Sequence, residues 1–287
     1  FTSEKGDLSV QDGSDILTVQ AGKTRLVFDK KTGYLKEVGQ GNNPIQFGNG
    51  PRFIAARRGD RSKDVFYNHD DKEARSKERI YYDVSGVNEL KSFTYANDKD
   101  SIIVETEYFG SLVKNRWVIA ANGDIRLDYK YQYYGTVELM GIMFDYPEEN
   151  VISKRWLGEG PYRVWQNRIH GTNFGIWEND YNDAIPGETF IYPEFKGYFN
   201  DWKWLSLNTK EGKINISNAD SGQYLGVYTP RDGRDVLLYT LPQSGIAILD
   251  VIPAVRNKVN ATDLVGPSSQ AQWAKGIYEG SIYLNFE

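Results

Sequence analysis

Leu112-Val113-Lys114-Asn115-Arg116-Trp117-Val118-Ile119-Ala120 runs through Ala121-Asn122-Gly123 into Asp124-Ile125-Arg126-Leu127-Asp128-Tyr129-Lys130-Tyr131-Gln132-Tyr133. In the second half the apolar side chains fall at alternate positions: Ile125, Leu127, Tyr129 and Tyr131. A period of two is what a strand with one buried face requires. Asn122-Gly123 between two such runs predicts a tight hairpin in which both central residues take positive φ.

The same signal recurs in both directions. Ile16-Leu17-Thr18-Val19 meets Ala21-Gly22 and then Thr24-Arg25-Leu26-Val27-Phe28. Lys31-Thr32-Gly33 turns into Tyr34-Leu35-Lys36-Glu37-Val38, Ser101 to Tyr108 is rich in Ile, Val and Thr, and Ile282, Leu284 and Phe286 alternate with polar residues. Helical signals are scarce. Asp70 to Arg79 is charged and has no apolar stripe, so a short exposed helix or a loop is expected there. No linker or repeat divides the chain. The expected fold class is all-β, as one domain of many antiparallel strands over residues 1–287.

Composition narrows the function. The 287 residues carry a net charge of -5, which suits neither nucleic acid nor any other polyanion, because phosphate contacts need clustered Lys and Arg. Arg57-Arg58 and Arg61-Ser62-Lys63 are interrupted by Asp60 and read as a solvated loop. The absence of Cys excludes a disulfide scaffold, thiolate zinc and a Cys nucleophile. No apolar run reaches the ~20 residues of a membrane-spanning helix. The first residue is Phe1, so the expectation is a processed N-terminus or a piece of a longer polypeptide. The 20 Tyr and 7 Trp suit half-buried pleated faces, and equally the apolar faces of sugar rings.

One segment breaks the alternation. It reads Arg155-Trp156-Leu157-Gly158-Glu159-Gly160-Pro161-Tyr162-Arg163-Val164-Trp165-Gln166-Asn167-Arg168, followed by Tyr192-Pro193-Glu194-Phe195-Lys196-Gly197-Tyr198 and Asp201-Trp202-Lys203-Trp204. Long irregular stretches inside β domains are usually functional or structurally committed. Its glycines allow backbone shapes closed to other residues, Pro161 fixes the next turn, and the planar fork of Arg168 suits an internal anchor.

This segment resembles the signature of the C-terminal small-chain domain of family 2 β-galactosidases, Trp-x-Gly-x-Gly-Pro-x-Glu-x-Tyr-x-Asp-Arg. Trp156, Gly158, Gly160, Pro161, Trp165 and Arg168 fit it, while Arg163 stands for the usual Glu and Asn167 for the usual Asp. Tyr192-Pro193-Glu194 looks like the family's following Pro-containing segment, and Phe28 to Leu35 like its opening hairpin. The resemblance implies a supersandwich of two large antiparallel sheets, as in galactose mutarotase-like folds. It implies an accessory role beside a (β/α)8 barrel that carries both catalytic carboxylates. It also implies a rim loop, with Gly266-Pro267-Ser268-Ser269-Gln270 as the counterpart and Trp273 three residues on. The expected partners are the barrel and an oligosaccharide or polysaccharide, in a bacterial periplasm or at a cell surface, with the cytoplasm as the alternative.

The expected cleft or carbohydrate-binding residues are Arg163, Trp165, Asn167, Arg168, His170, Glu194, Trp202, Trp204 and Trp273. No catalytic residue is assigned to the domain alone. The competing reading is a stand-alone mutarotase-like epimerase using His170 with Glu194 or Glu188, or a lyase using Tyr162, Arg163, His170 and Lys196. Glu159, Glu188 and Glu194 show no glycosidase spacing and are expected to pair with Arg155, Arg163 or Arg168. No cofactor is expected, and Asp70 and Asp71 are the one place considered for calcium.

Overall fold

A computed structural model describes residues 6–58, 81–180, 197–228, 245–254 and 271–287. Nineteen strands follow one another in these residues. They are β1 (Leu8–Asp12), β2 (Ile16–Ala21), β3 (Thr24–Asp29), β4 (Leu35–Gln40), β5 (Asn43–Ile45), β6 (Gly48–Arg58), β7 (Tyr81–Asp83), β8 (Glu89–Asp98), β9 (Ser101–Phe109) and β10 (Leu112–Ala120). After these come β11 (Ile125–Val137), β12 (Leu139–Asp145), β13 (Val151–Gly160), β14 (Asn173–Asp180), β15 (Trp204–Thr209), β16 (Gly212–Asn218), β17 (Tyr224–Val227), β18 (Ile246–Val251) and β19 (Gln272–Phe286). One 3-10 turn, Glu148–Asn150, is the sole helical element among the described residues. The expected helix at 70–79 and the Asp70 and Asp71 pair lie outside them.

The hairpin of β10 and β11 forms where expected, with Trp117 opposite Leu127 and Ile119 opposite Ile125. Its turn differs. Gly123 alone has positive φ, at 87°, and the Gly123 amide donates to Ala120 O at 2.9 Å while the Ala120 amide donates to Asp124 O. This is a wider turn closed by a single left-handed glycine. The Asn122 side chain stabilises it by accepting from the Asp124 amide at 3.1 Å and donating to the Asp124 carboxylate at 2.8 Å.

Two antiparallel sheets result. One has the order β1-β2-β3-β4-β6-β12-β18-β17, with β5 on β4 and β7 on β6. The other has the order β14-β13-β15-β16-β19-β11-β10-β9-β8. The sheets face each other across interlocked aromatic rings. Trp117 meets Phe28 edge-on at 5.4 Å and Phe144 at 6.3 Å, and Phe47 bridges Phe144 and Phe286 at 4.7 and 5.5 Å. Such pairs add to the burial of large apolar area that holds sheets together. The expected all-β supersandwich is the observed fold.

The ten-stranded sheet is buried on both faces at its centre. In β12, Met140, Ile142 and Phe144 face the inter-sheet core, while Leu139 and Met143 point the other way. In β18, Ile246 and Ile248 face inward and Ala247 and Leu249 outward. A continuous apolar run is the sequence signature of such a strand. The outward set is covered by Val164, Trp165 and Tyr198, which belong to the irregular segment.

Candidate functional site

The irregular segment is stitched to the ten-stranded sheet by its backbone. Phe199 and Leu225 of β17 exchange two bonds of 2.9 Å and the Gln166 amide donates to Pro253 O at 3.0 Å, while Val164 and Tyr198 tie the segment to itself with bonds of 2.7 and 3.0 Å. The glycines of the signature have a steric cause. A Cβ on Gly158 would lie 2.7 Å from Trp202 Cα, and one on Gly160 would lie 2.6 Å from the Trp177 indole. Trp156 packs at 4.6 Å on Phe199 and donates through Nε1 to Glu159 O at 3.2 Å. The Gly160–Pro161 peptide is cis.

The expected site residues separate into three groups. Arg163, Trp165 and Trp202 are interior, at 2%, 1% and 1% exposure, so the two indoles pack in the core and offer no surface for a sugar. Arg163 is an internal anchor. The Arg163 guanidinium donates through Nη1 to the carbonyls of Val227 and Tyr228 at 2.9 and 2.8 Å and lies 4.9 Å above the Phe199 ring. That binding removes Arg163 from any lyase set. Arg168 and His170 are exposed and Asn167 is half-buried. Trp204 is half-buried on β15, and Trp273 is 71% exposed on β19. Glu194, Glu188, Lys196 and the stretch 266–270 lie outside the described residues. Glu159 pairs with none of the three arginines. Its carboxylate accepts from the Thr172 hydroxyl and the Asn200 amide, both at 2.8 Å.

Sequence reasoning passed over one constellation. Between the sheets, the Tyr131 hydroxyl donates to Asp250, and the Gln223 amide nitrogen donates to Tyr129 Oη at 2.8 Å and to Asp250 Oδ1 at 3.4 Å. Tyr278 stacks on Tyr131 at 5.3 Å, and Phe53 packs at 4.9 Å. Gly280 makes room, since a Cβ there would lie 2.5 Å from Tyr129 Oη. Asp250 sits at a bulge. Met140 pairs with Val251 but Gly141 with Leu249, so Asp250 is the extra residue of β18. Burial pushes its carboxyl pKa above the usual range, and the bonds from Tyr131 and Gln223 only partly offset that. Burial, with the Asp250 charge beside them, raises Tyr129 and Tyr131 well above an ordinary phenol. The signal in the sequence was a lone acid ending the apolar run Ile246-Ala247-Ile248-Leu249.

This pair of facing sheets is the architecture of the mutarotase-like supersandwiches. Galactose 1-epimerase from Lactobacillus acidophilus NCFM aligns with a TM-score of 0.53 and 8% identity over 98% of both chains, a likeness of fold. HI1317 aligns with a TM-score of 0.41 and 10% identity over 100% of this chain and 98% of the other. No curated protein matches the sequence. The family model described as Beta galactosidase small chain matches residues 20–244, a stretch that contains the whole Trp156–Arg168 signature. The chain belongs to the β-galactosidase small-chain family.

Proposed function

We propose that the chain is one domain of a longer family 2-type glycoside hydrolase of β-galactosidase-like kind. In that reading it packs beside a catalytic (β/α)8 barrel, shapes the substrate cleft and has no hydrolytic activity alone. The observation that supports this most is the small-chain family match across the signature segment. The packing agrees with it. The segment's Val164, Trp165 and Tyr198 brace the outer face of the ten-stranded sheet, and Arg168 and His170 lie at its surface. Oligosaccharide is the proposed ligand class, and a bacterial periplasm or cell surface the proposed setting, with the cytoplasm as the alternative. The domain as proposed needs no cofactor.

The test is hydrolysis of aryl β-galactosides and neutral β-linked oligosaccharides by the isolated chain and by the full-length polypeptide with and without this domain. The expected result is no turnover by the isolated chain and a loss of kcat/KM when the domain is deleted. A fully active enzyme after deletion overturns the reading. The second reading, a stand-alone epimerase, is favoured by one observation. A half-buried carboxyl of raised pKa bonded to a tyrosine is the kind of group that moves protons. Polarimetry of freshly dissolved galactose with the isolated chain decides it. Catalysed mutarotation that is lost in Asp250→Asn would replace the accessory role.

A further inference from the structure

The outward face of the nine-stranded sheet carries a cross-strand row that the brace does not cover. Ile176 pairs with Leu157, Leu157 with Trp204, Trp204 with Ser217, Ser217 with Tyr283 and Tyr283 with Arg126. Residues directly opposite share a face. The neighbours Trp156, Leu205, Ile216 and Leu284 belong to the inter-sheet core, so this row points away from it. Ile176 is 56% exposed and Tyr283 45%. The Arg126 guanidinium lies 5.9 Å from the Tyr283 ring centre. The row crosses six strands, which at about 4.8 Å per spacing spans roughly 24 Å, longer than one sugar ring.

At the β14 end stands Phe174, 54% exposed and directly opposite Glu159. Thr172 and Asn200 both bond Glu159 Oε2, and Oε1 carries no hydrogen bond among the described residues. The carboxylate is therefore fixed by two neutral donors, with no cation in its set, and has an acceptor oxygen to spare. On one flank Ser206, Asn215 and Asn285 follow one another across β15, β16 and β19, a row of neutral hydroxyl and amide groups. On the other flank the cations are already matched, Lys114 and Arg116 to Glu105 and Lys130 to Glu279.

We propose that this face is a binding platform for a neutral oligosaccharide. Phe174, Trp204 and Tyr283 pack against the apolar faces of successive sugar rings, and Glu159 accepts hydrogen bonds from their hydroxyls. Flat apolar surface with a few fixed polar groups is what a sugar chain needs. An uncompensated carboxylate at the end of the row rejects uronate, sulfate and phosphate groups by like charge. The proposal rests on the carbohydrate setting given above and adds to it a surface and the neutrality of the ligand.

The experiment is calorimetric titration of the 287-residue chain with cellohexaose, mannohexaose and β-1,4-galactohexaose, and with oligogalacturonate as the charged probe. At least one neutral hexamer is expected to bind at concentrations up to about 1 mM, and oligogalacturonate is not. Phe174→Ala and Glu159→Gln, the first at an exposed position and the second isosteric, are expected to weaken binding about tenfold each with unchanged circular dichroism. The proposal is overturned if no neutral hexamer binds, if both variants bind like the parent, or if oligogalacturonate binds as tightly. Its failure is separable from failure of the accessory reading. A domain deletion that still lowers hydrolysis, in a chain that binds no hexamer, sinks the platform alone. Turnover by the isolated chain sinks the accessory role whatever the titration gives.

Discussion

At the residue scale, Asp250 makes a pH-dependent contribution whose sign is fixed by its burial. Its folded-state pKa is raised above the unfolded value because burial disfavours the charge. The stabilisation from its protonated form is fully present below the unfolded carboxyl pKa of about 3.9 and is lost as pH rises through the folded-state value. Asn at this position carries no titration. Melting temperatures of the parent and of Asp250→Asn, followed from about pH 4 to neutrality, should diverge, with the parent losing ground as pH rises. Parallel profiles would mean that the carboxyl titrates as it does in the unfolded chain. Arg163 shows the limit of reading roles from residue type. An arginine in a glycan-associated motif looks like a ligand for substrate, yet its fork is spent on two carbonyls and a ring. Nothing in the linear sequence marks those carbonyls, which lie 64 and 65 residues away.

At the element scale, the signature's glycines are packing devices. The Trp177 indole donates to Gly158 O at 3.2 Å and leaves no room for a side chain on Gly160. Gly160→Ala should lower stability by about 1–3 kcal/mol, read as a shift in the urea midpoint at unchanged slope. In the Trp177→Ala background the same change should cost measurably less, because the clash is gone. Equal costs in the two backgrounds would show that the ring is not what the glycine avoids. Individual strands were legible because alternation is local: β2, β3, β9, β10 and the end of β19 all lie where the period of two puts them. The hairpin turn was misjudged because Asn-Gly is compatible with more than one turn, and the choice falls to the register of the flanking strands. The aromatic residues of the irregular segment could not be sorted. Without a period there is no inward or outward parity, so Trp165 and Trp202 read the same as Trp204, though the first two are interior and the last is half-buried.

At the scale of the whole molecule, the order of strands carries what the sequence hides. β19 pairs with β11 through thirteen successive residues, Ile125 to Val137, and with β16 on its other side. It therefore sits inside the nine-stranded sheet, with four strands on each side. Its alternation announced a half-buried strand but not its neighbours, since pairing across such a separation leaves no local trace. A chain ending at Ala271 should lose its cooperative thermal transition, and a peptide of residues 272–287 added in trans should restore part of it. Retention of a sharp transition in the shortened chain would place the folding core elsewhere.

The central position of β19 also has a consequence for biosynthesis. β11 leaves the ribosome roughly 130 residues ahead of its partner, which at about 5–20 residues per second is on the order of ten seconds of translation. Through that interval the nascent β11 has β10 on one side and an open edge of alternating Ile, Leu and Tyr on the other. A chaperone that shields bare strand edges would find a target in β11 through the whole of that interval.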